Sequence, residues 1–165
     1  MKLGVLVSGD GTNLQAILDA ARGGVLRGVA SVAVVVSTRE HAKALERARA
    51  ACVPAEVLPS QDYATRDAYD EALAARLRAH DVGLVCLAGF MRIAGPRLLA
   101  AFPERIINIH PSLLPSFPWL HAQRQALAHG AKLSGCTVHF VDAGIDTGPI
   151  IAQAAVSVRD EDDEE

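Results

Sequence analysis

The sequence predicts an α/β fold: a Rossmann-like, mostly parallel twisted sheet with helices on both faces and an antiparallel strand pair near the C-terminal end. Three observations carry this. Short aliphatic and β-branched runs alternate with Ala-rich helical stretches through the first two-thirds of the chain. Those runs, such as residues 32–37, lack polar alternation, as strands buried on both faces do. After a proline-rich stretch, two strand-like segments then follow one another with only a glycine-rich loop between them.

The elements follow in order. Residues 3–8 read as the first strand. A helix begins near Thr12, with Leu14, Ile17, Leu18 and Ala21 at helical spacing, and Gly23 and Gly24 stop it. Residues 32–37 form a second strand, residues 41–51 a helix and residues 55–58 a short strand. Residues 65–80 give the longest helix, with Tyr69, Leu73 and Leu77 on one face. Residues 82–88 form another buried strand, residues 96–102 a short helix and residues 105–109 a strand. The three prolines of residues 111–120 predict a long loop. Residues 120–129 read as helical. Residues 134–141 alternate Cys136, Val138 and Phe140 against Thr137, His139 and Val141, and residues 150–158 supply the pairing strand.

Composition bounds the function. A chain of 165 residues, half of them hydrophobic, is a single folded domain over residues 1–165 and not a disordered segment. Lys plus Arg number 16 against 19 Asp plus Glu, a formal charge of −3. This argues against broad nucleic-acid or anionic-membrane binding, which needs a basic face. No apolar run reaches membrane-spanning length, and no signal peptide opens the chain. Cys52, Cys86 and Cys136 are odd in number and form no CxxC pair, so a reducing, cytoplasmic setting is expected; Cys86 and Cys136 read as small apolar residues. No HxH or HExxH spacing occurs, and no metal is assigned.

Three segments can carry chemistry. Ser8-Gly9-Asp10-Gly11-Thr12-Asn13 joins a strand to a helix N-terminus, where free amides and the helix dipole attract an anion. Leu14 stands where a dinucleotide fingerprint needs glycine, and no Gly-Lys-Ser/Thr follows, so the turn suits one phosphate. It equally suits a plain turn with Thr12 or Asn13 as helix cap. In the second segment, Asn108 and His110 share one strand face while Ile109 points to the core, at the strand end where open α/β sheets hold ligands. An imidazole can move a proton near neutral pH, and an amide can stabilise an oxyanion. In the third, Asp142 and Asp146 lie in a glycine-rich loop. Asp142 suits capping of its own backbone. A carboxylate folded onto His110 would fix the ring's orientation. Of the other histidines, His41 and His80 read as solvated helix residues, and His129 sits near a helix end. His139 could face a cleft or be a satisfied sheet histidine. Trp119 is the single tryptophan and could serve as a lid or an oligomer contact.

The strings SGDGTNLQAI, AGFMRI, NIHPSLLPSFP, LHAQRQAL and VDAGIDTGPIIAQ, in this order, closely resemble the folate-dependent phosphoribosylglycinamide formyltransferases over essentially the whole chain. NIHPSLLP and DTGP are shared with wider formyltransferases, including methionyl-tRNA formyltransferase and formyltetrahydrofolate deformylase; SGDGTNLQ is the more specific part. The resemblance implies formyl transfer from 10-formyltetrahydrofolate to glycinamide ribonucleotide in purine biosynthesis, with no metal and a possible homodimer. It implies Asn108, His110 and Asp146 as the catalytic trio. Gly11, Thr12 and Asn13 would be the ribonucleotide turn. Arg66, Met91, Arg92, Ile93 and Ala94, with Asn108, would line the folate site. From the residues alone, Arg66 is an exposed helix charge. The alternatives are another acceptor amine, formyl hydrolysis, or a non-catalytic nucleotide- or folate-binding copy. Two departures stand out. The family's Pro-Gly-Leu-His is Pro118-Trp119-Leu120-His121 here, and family members continue with a further helix and strand beyond DEDDEE. The acidic end reads as a solvated tail or as the first turn of a helix.

Overall fold

A computed structural model describes residues 1–163, which fall into two compact units, residues 1–106 and residues 107 onward. In the first unit the sequence's alternation becomes β1 (Lys2–Val7), α1 (Thr12–Arg22), β2 (Ser31–Ser37), α2 (Lys43–Ala50), β3 (Ala55–Val57), a 3-10 turn (Ser60–Asp62), α3 (Arg66–Ala79), β4 (Leu84–Leu87) and α4 (Pro96–Ala101). The strands lie in the order β3-β2-β1-β4 and pair in parallel throughout. Val5 stands opposite both Val35 and Cys86. Val5, Leu6, Val7, Val34, Val35 and Val36 are buried, as unalternated aliphatic strands require. Leu14 and Leu18 of α1 and Leu73 and Leu77 of α3 complete that core.

Parallel pairing puts the carboxyl ends of β1, β2 and β4 side by side, and hydroxyl groups tie them there. The Thr38 hydroxyl donates to Ser8 Oγ at 2.9 Å, and Ser8 Oγ also accepts the Met91 amide at 3.0 Å. Thr65 caps α3 by accepting the Ala68 amide at 3.1 Å. The start of α1 differs from the expected side-chain cap. Neither Thr12 nor Asn13 caps it; the N-cap is Gly11 at φ 75°, ψ 32°, with no side-chain hydrogen bond. The chain enters α1 through a left-handed residue, and a Cβ at Gly11 would sit 2.6 Å from Ala44 Cβ. His80 also departs from expectation. It is half-buried at the end of α3, and its Nε2 lies 2.7 Å from Glu56 Oε1.

The second unit holds most of β5 (Ile106–His110), α5 (Ala122–Ala128), β6 (Leu133–Phe140) and β7 (Ile150–Ser157). β6 pairs antiparallel with both β5 and β7. The inward face of β6 is its polar one: Thr137 and His139 are buried, whereas Cys136, Val138 and Phe140 are only half-buried. In β5 likewise His110 is buried, and Ile109, expected in the core, is half-buried. Apolar periodicity therefore misassigns the inward face of both strands. Asp142 does cap its own loop, accepting the Gly144 amide at 3.0 Å and the Thr147 hydroxyl at 2.8 Å. Of the acidic tail, Asp160 and Glu161 lie in a turn closed by the Asp162 amide on the Arg159 carbonyl, Asp160 meets Lys132, and Glu164 and Glu165 lie outside the described residues. No helix among the described residues is long and apolar enough to cross a membrane.

Gly11→Ala should destabilise the first unit by roughly 3 kcal/mol, combining the left-handed backbone penalty with overpacking against α2. A urea titration giving less than about 1 kcal/mol would show that the turn relaxes freely.

Candidate active site

Antiparallel pairing of β5 with β6 sets Asn108 opposite His139 and His110 opposite Thr137. The loop after β7's partner strand then brings Asp146 back. Its Oδ2 is 3.4 Å from His110 Nδ1, and its Oδ1 is 3.7 Å from His139 Nε2. The side chains of His110, His139 and Asp146 are 6%, 3% and 11% exposed, so these contacts form where water screens them little. The three residues expected as the trio thus belong to one cluster with His139 as a fourth member.

Carbonyl partners assign the ring protons, because a carbonyl only accepts. His110 Nε2–H donates to the Phe117 carbonyl at 2.9 Å, while Nδ1 faces the Asp146 carboxylate. Both ring nitrogens therefore face acceptors, an arrangement that suits the doubly protonated ring. His139 Nδ1–H donates to the Phe140 carbonyl at 2.8 Å. Its Nε2 then accepts from Asn108 Nδ2 at 3.2 Å, which fixes which way the Asn108 amide points. The loop after His110 is anchored by Thr137. Its hydroxyl donates to the Ser112 carbonyl at 2.7 Å and accepts the Leu114 amide and Gln153 Nε2, both at 3.0 Å.

Trp119 enters through its backbone. Its amide donates to Asp146 Oδ2 at 3.0 Å, while its side chain is 62% exposed. Phe117, Trp119, His121 and Asp146 all have positive φ, between 51° and 75°. Four non-glycine residues in this region, gathered around one acid–base pair, mark a locally strained site.

In the first unit, the turn expected to bind a phosphate is tethered from α2. Arg47 Nε donates to the Asp10 carbonyl at 2.9 Å, and Lys43 pairs with Asp10 at 3.0 Å. Thr12 and Asn13 are exposed, and no side chain caps α1. Arg66, expected at the folate site, uses Nη2 to hold the Ile93 and Ala94 carbonyls at 3.2 and 3.0 Å. Met91 and Ile93 are exposed apolar side chains, 64% and 51% accessible. Arg92 lies 5.2 Å over the Tyr69 ring and donates to Ser60 Oγ at 2.6 Å. Burial pushes the Tyr69 phenol up to about 12, against the pull of Arg92.

Burial likewise pushes the Cys86 thiol up to about 11, so it is a core residue and not a nucleophile. No group of His, Cys, Asp or Glu among the described residues could hold a metal. A groove of about 560 Å³ lies elsewhere in the second unit, between α5, β6 and β7; Leu127, Cys136, Ala154 and Val156 line it, and none of the trio does. It brings no acid and base together, whereas the His110 cluster does. Sequence reasoning passed over Arg47 and left His139 open. His139 had no local signal, since only the β5–β6 register sets it against Asn108.

Comparison with known proteins agrees with this layout. A formyl transferase family model matches residues 1–165. The chain is 48% identical to the trifunctional purine biosynthetic protein adenosine-3 of Drosophila melanogaster over 99% of its own length and 12% of that protein's. It is 44% identical to the phosphoribosylglycinamide formyltransferase of Bacillus subtilis over 98% of its own length and 82% of that protein's. The crystal structure of glycinamide ribonucleotide transformylase 1 from Symbiobacterium toebii is matched with a TM-score of 0.96 and 58% identity, over 99% of this chain and 76% of that one. The chain therefore spans about an eighth of the trifunctional relatives and roughly three-quarters or more of the single-activity ones. With a family model matched from end to end and relatives this similar, the chain belongs to the formyl transferase family.

Proposed function

We propose that this chain transfers a formyl group from 10-formyltetrahydrofolate to the primary amine of glycinamide ribonucleotide. The observation that carries the reading is the buried His110–Asp146 pair, with Asn108 held beside it by His139. The family membership supplies the reaction class, and relatives bearing the names phosphoribosylglycinamide formyltransferase and glycinamide ribonucleotide transformylase support the acceptor; the formyl donor rests on the motif resemblance.

The acceptor amine is itself the nucleophile, so no Ser or Cys is required. Its lone pair attacks the formyl carbon and gives a tetrahedral oxyanion. His110 in its charged form and the Asn108 amide stabilise that oxygen. The amine loses a proton to Asp146, directly or through a water. The carbon–nitrogen bond to the folate then breaks, and the departing nitrogen takes the proton from His110 Nδ1, the ring nitrogen on the Asp146 side. The formylated amine and tetrahydrofolate leave, and a proton returned from Asp146 restores the pair. Holding two substrates together supplies much of the rate.

The Ser8–Asn13 turn suits the ribonucleotide phosphate: a left-handed glycine and uncapped first-turn amides make an anion cradle. The exposed Met91 and Ile93 side chains suit the apolar face of a folate ring. Trp119 does not argue against activity, because its contact to Asp146 is made by a backbone amide that any residue except proline supplies.

The reading is tested by mixing the protein with 10-formyltetrahydrofolate and glycinamide ribonucleotide, beside other amines and water as acceptors. Fast transfer only to the ribonucleotide is expected; hydrolysis alone, or preference for another amine, would overturn it. His110→Ala and Asp146→Asn should each lower kcat by about 100-fold or more, while the ribonucleotide KM changes less than about threefold. Trp119→Gly should change kcat by less than about threefold and stability by under ~1 kcal/mol, as relief at φ 75° is offset by the entropy of glycine. A large gain in kcat would show that the indole itself obstructs the site.

A further inference from the structure

Asp70 is a buried carboxylate that the chemistry above does not use. It is 2% exposed and sits in the apolar stripe of α3 with Tyr69, Leu73 and Leu77. Its carboxylate accepts amides from Gly95 and from Leu98, the latter at 3.5 Å. One helical turn earlier, Arg66 holds the Ile93 and Ala94 carbonyls. Residues 93–95 are thereby gripped through both kinds of backbone group, carbonyls by a cation and an amide by an anion. The fit leaves no slack: a Cβ at Gly95 would collide with Asp70 Oδ2 and stand 2.7 Å from Arg66 Nε.

This arrangement is costly. Burial pushes the Asp70 carboxyl above its usual range, with the Leu98 and Gly95 amides and then Arg66 pulling the other way. An acid raised in the folded state binds protons more tightly folded than unfolded, so its ionisation lowers stability as pH rises past the unfolded value. A carboxylate kept at such a place serves position better than it serves stability.

We infer that Asp70 is a positioning residue for the formyl-donor site: with Arg66 it clamps residues 93–95 and so sets the Met91–Ala94 surface against which the folate ring rests. The inference rests on the proposed function for the identity of the donor. It assigns Arg66 a structural duty beside any ligand contact, since Nη2 is already engaged.

Two readouts test it in the intact chain: steady-state transfer with each substrate varied, and calorimetric binding of tetrahydrofolate alone. Asp70→Asn should raise the donor KM and the tetrahydrofolate Kd about tenfold, with the ribonucleotide KM within twofold. Its Tm should stay within about 3 °C, because loss of the buried charge offsets the weaker acceptor. Asp70→Ala should weaken donor binding further, making Asn a partial rescue. A lowered Tm with both KM values unchanged would reduce Asp70 to a cap for α4 and overturn the inference, as would an unchanged Kd in Asp70→Asn. A parent chain that binds tetrahydrofolate but transfers no formyl group would sink the proposed function and leave the clamp to be decided by the Kd values. A parent that does not bind tetrahydrofolate would overturn both.

Discussion

The second unit depends on the polar inward face of β6. Thr137 and His139 are almost completely buried, and every polar atom they carry is engaged. An unsatisfied buried group costs on the order of 1–3 kcal/mol, so these bonds select one register. A slip of one residue would send Thr137 and His139 outward and bring Cys136 and Val138 in. The Ser112 carbonyl and Leu114 amide would lose their partner, and the Asn108 amide would lose its orienting ring. One strand's hydrogen-bonding face therefore fixes the loop after His110, the Asn108 amide and the neighbour of Asp146 together.

The sequence reveals elements well and faces less well. Unalternated runs at β1, β2 and β4 and the Thr65 cap of α3 are local signals, and local physics decides them. Asn108 and His110 were legible from their place at a strand end and the loop acids from their glycine-rich setting, but the choice of Asp146 as their partner came from the motif resemblance. What was not legible depends on partners distant in the chain. His139 acquires its meaning from the β5–β6 register. Gly11 takes the cap position in place of Thr12 and Asn13, in a left-handed turn that leaves no room for a Cβ beside Ala44. Asp70 did leave a trace: an acid three residues before Leu73 and seven before Leu77 stands on the apolar stripe. Read by charge alone, it passes for a solvated helix residue.

The strained loop shows why an indole at position 119 is compatible with the contacts made to Asp146. Phe117 lends its carbonyl to His110, Trp119 its amide to Asp146, and Asp146 itself has φ 55°. Left-handed residues turn successive peptide groups inward, so a short segment can present an acceptor to the imidazole and a donor to the carboxylate. Each costs about 1 kcal/mol or more for a residue with a Cβ. The backbone performs this work, and the Trp119 indole remains outside in solvent. Glycine at that position lowers the strain without altering the hydrogen bond.

The two units solve opposite electrostatic problems. Around His110, buried polar groups satisfy one another pairwise, leaving a proton-carrying ring between a carbonyl and a carboxylate. Around residues 91–95, charged side chains satisfy main-chain groups, so the exposed surface is left apolar at Met91 and Ile93. The acid role proposed for His110 needs the first arrangement, since a ring that is to give up a proton must be held with its N–H groups aimed at defined acceptors. The face of the donor ring proposed to rest there needs the second, since it leaves Met91 and Ile93 as the exposed groups. The buried charge of Asp70 is consistent with that requirement. It draws backbone amides away from the surface, at a cost in stability that an apolar residue at the same position would not incur.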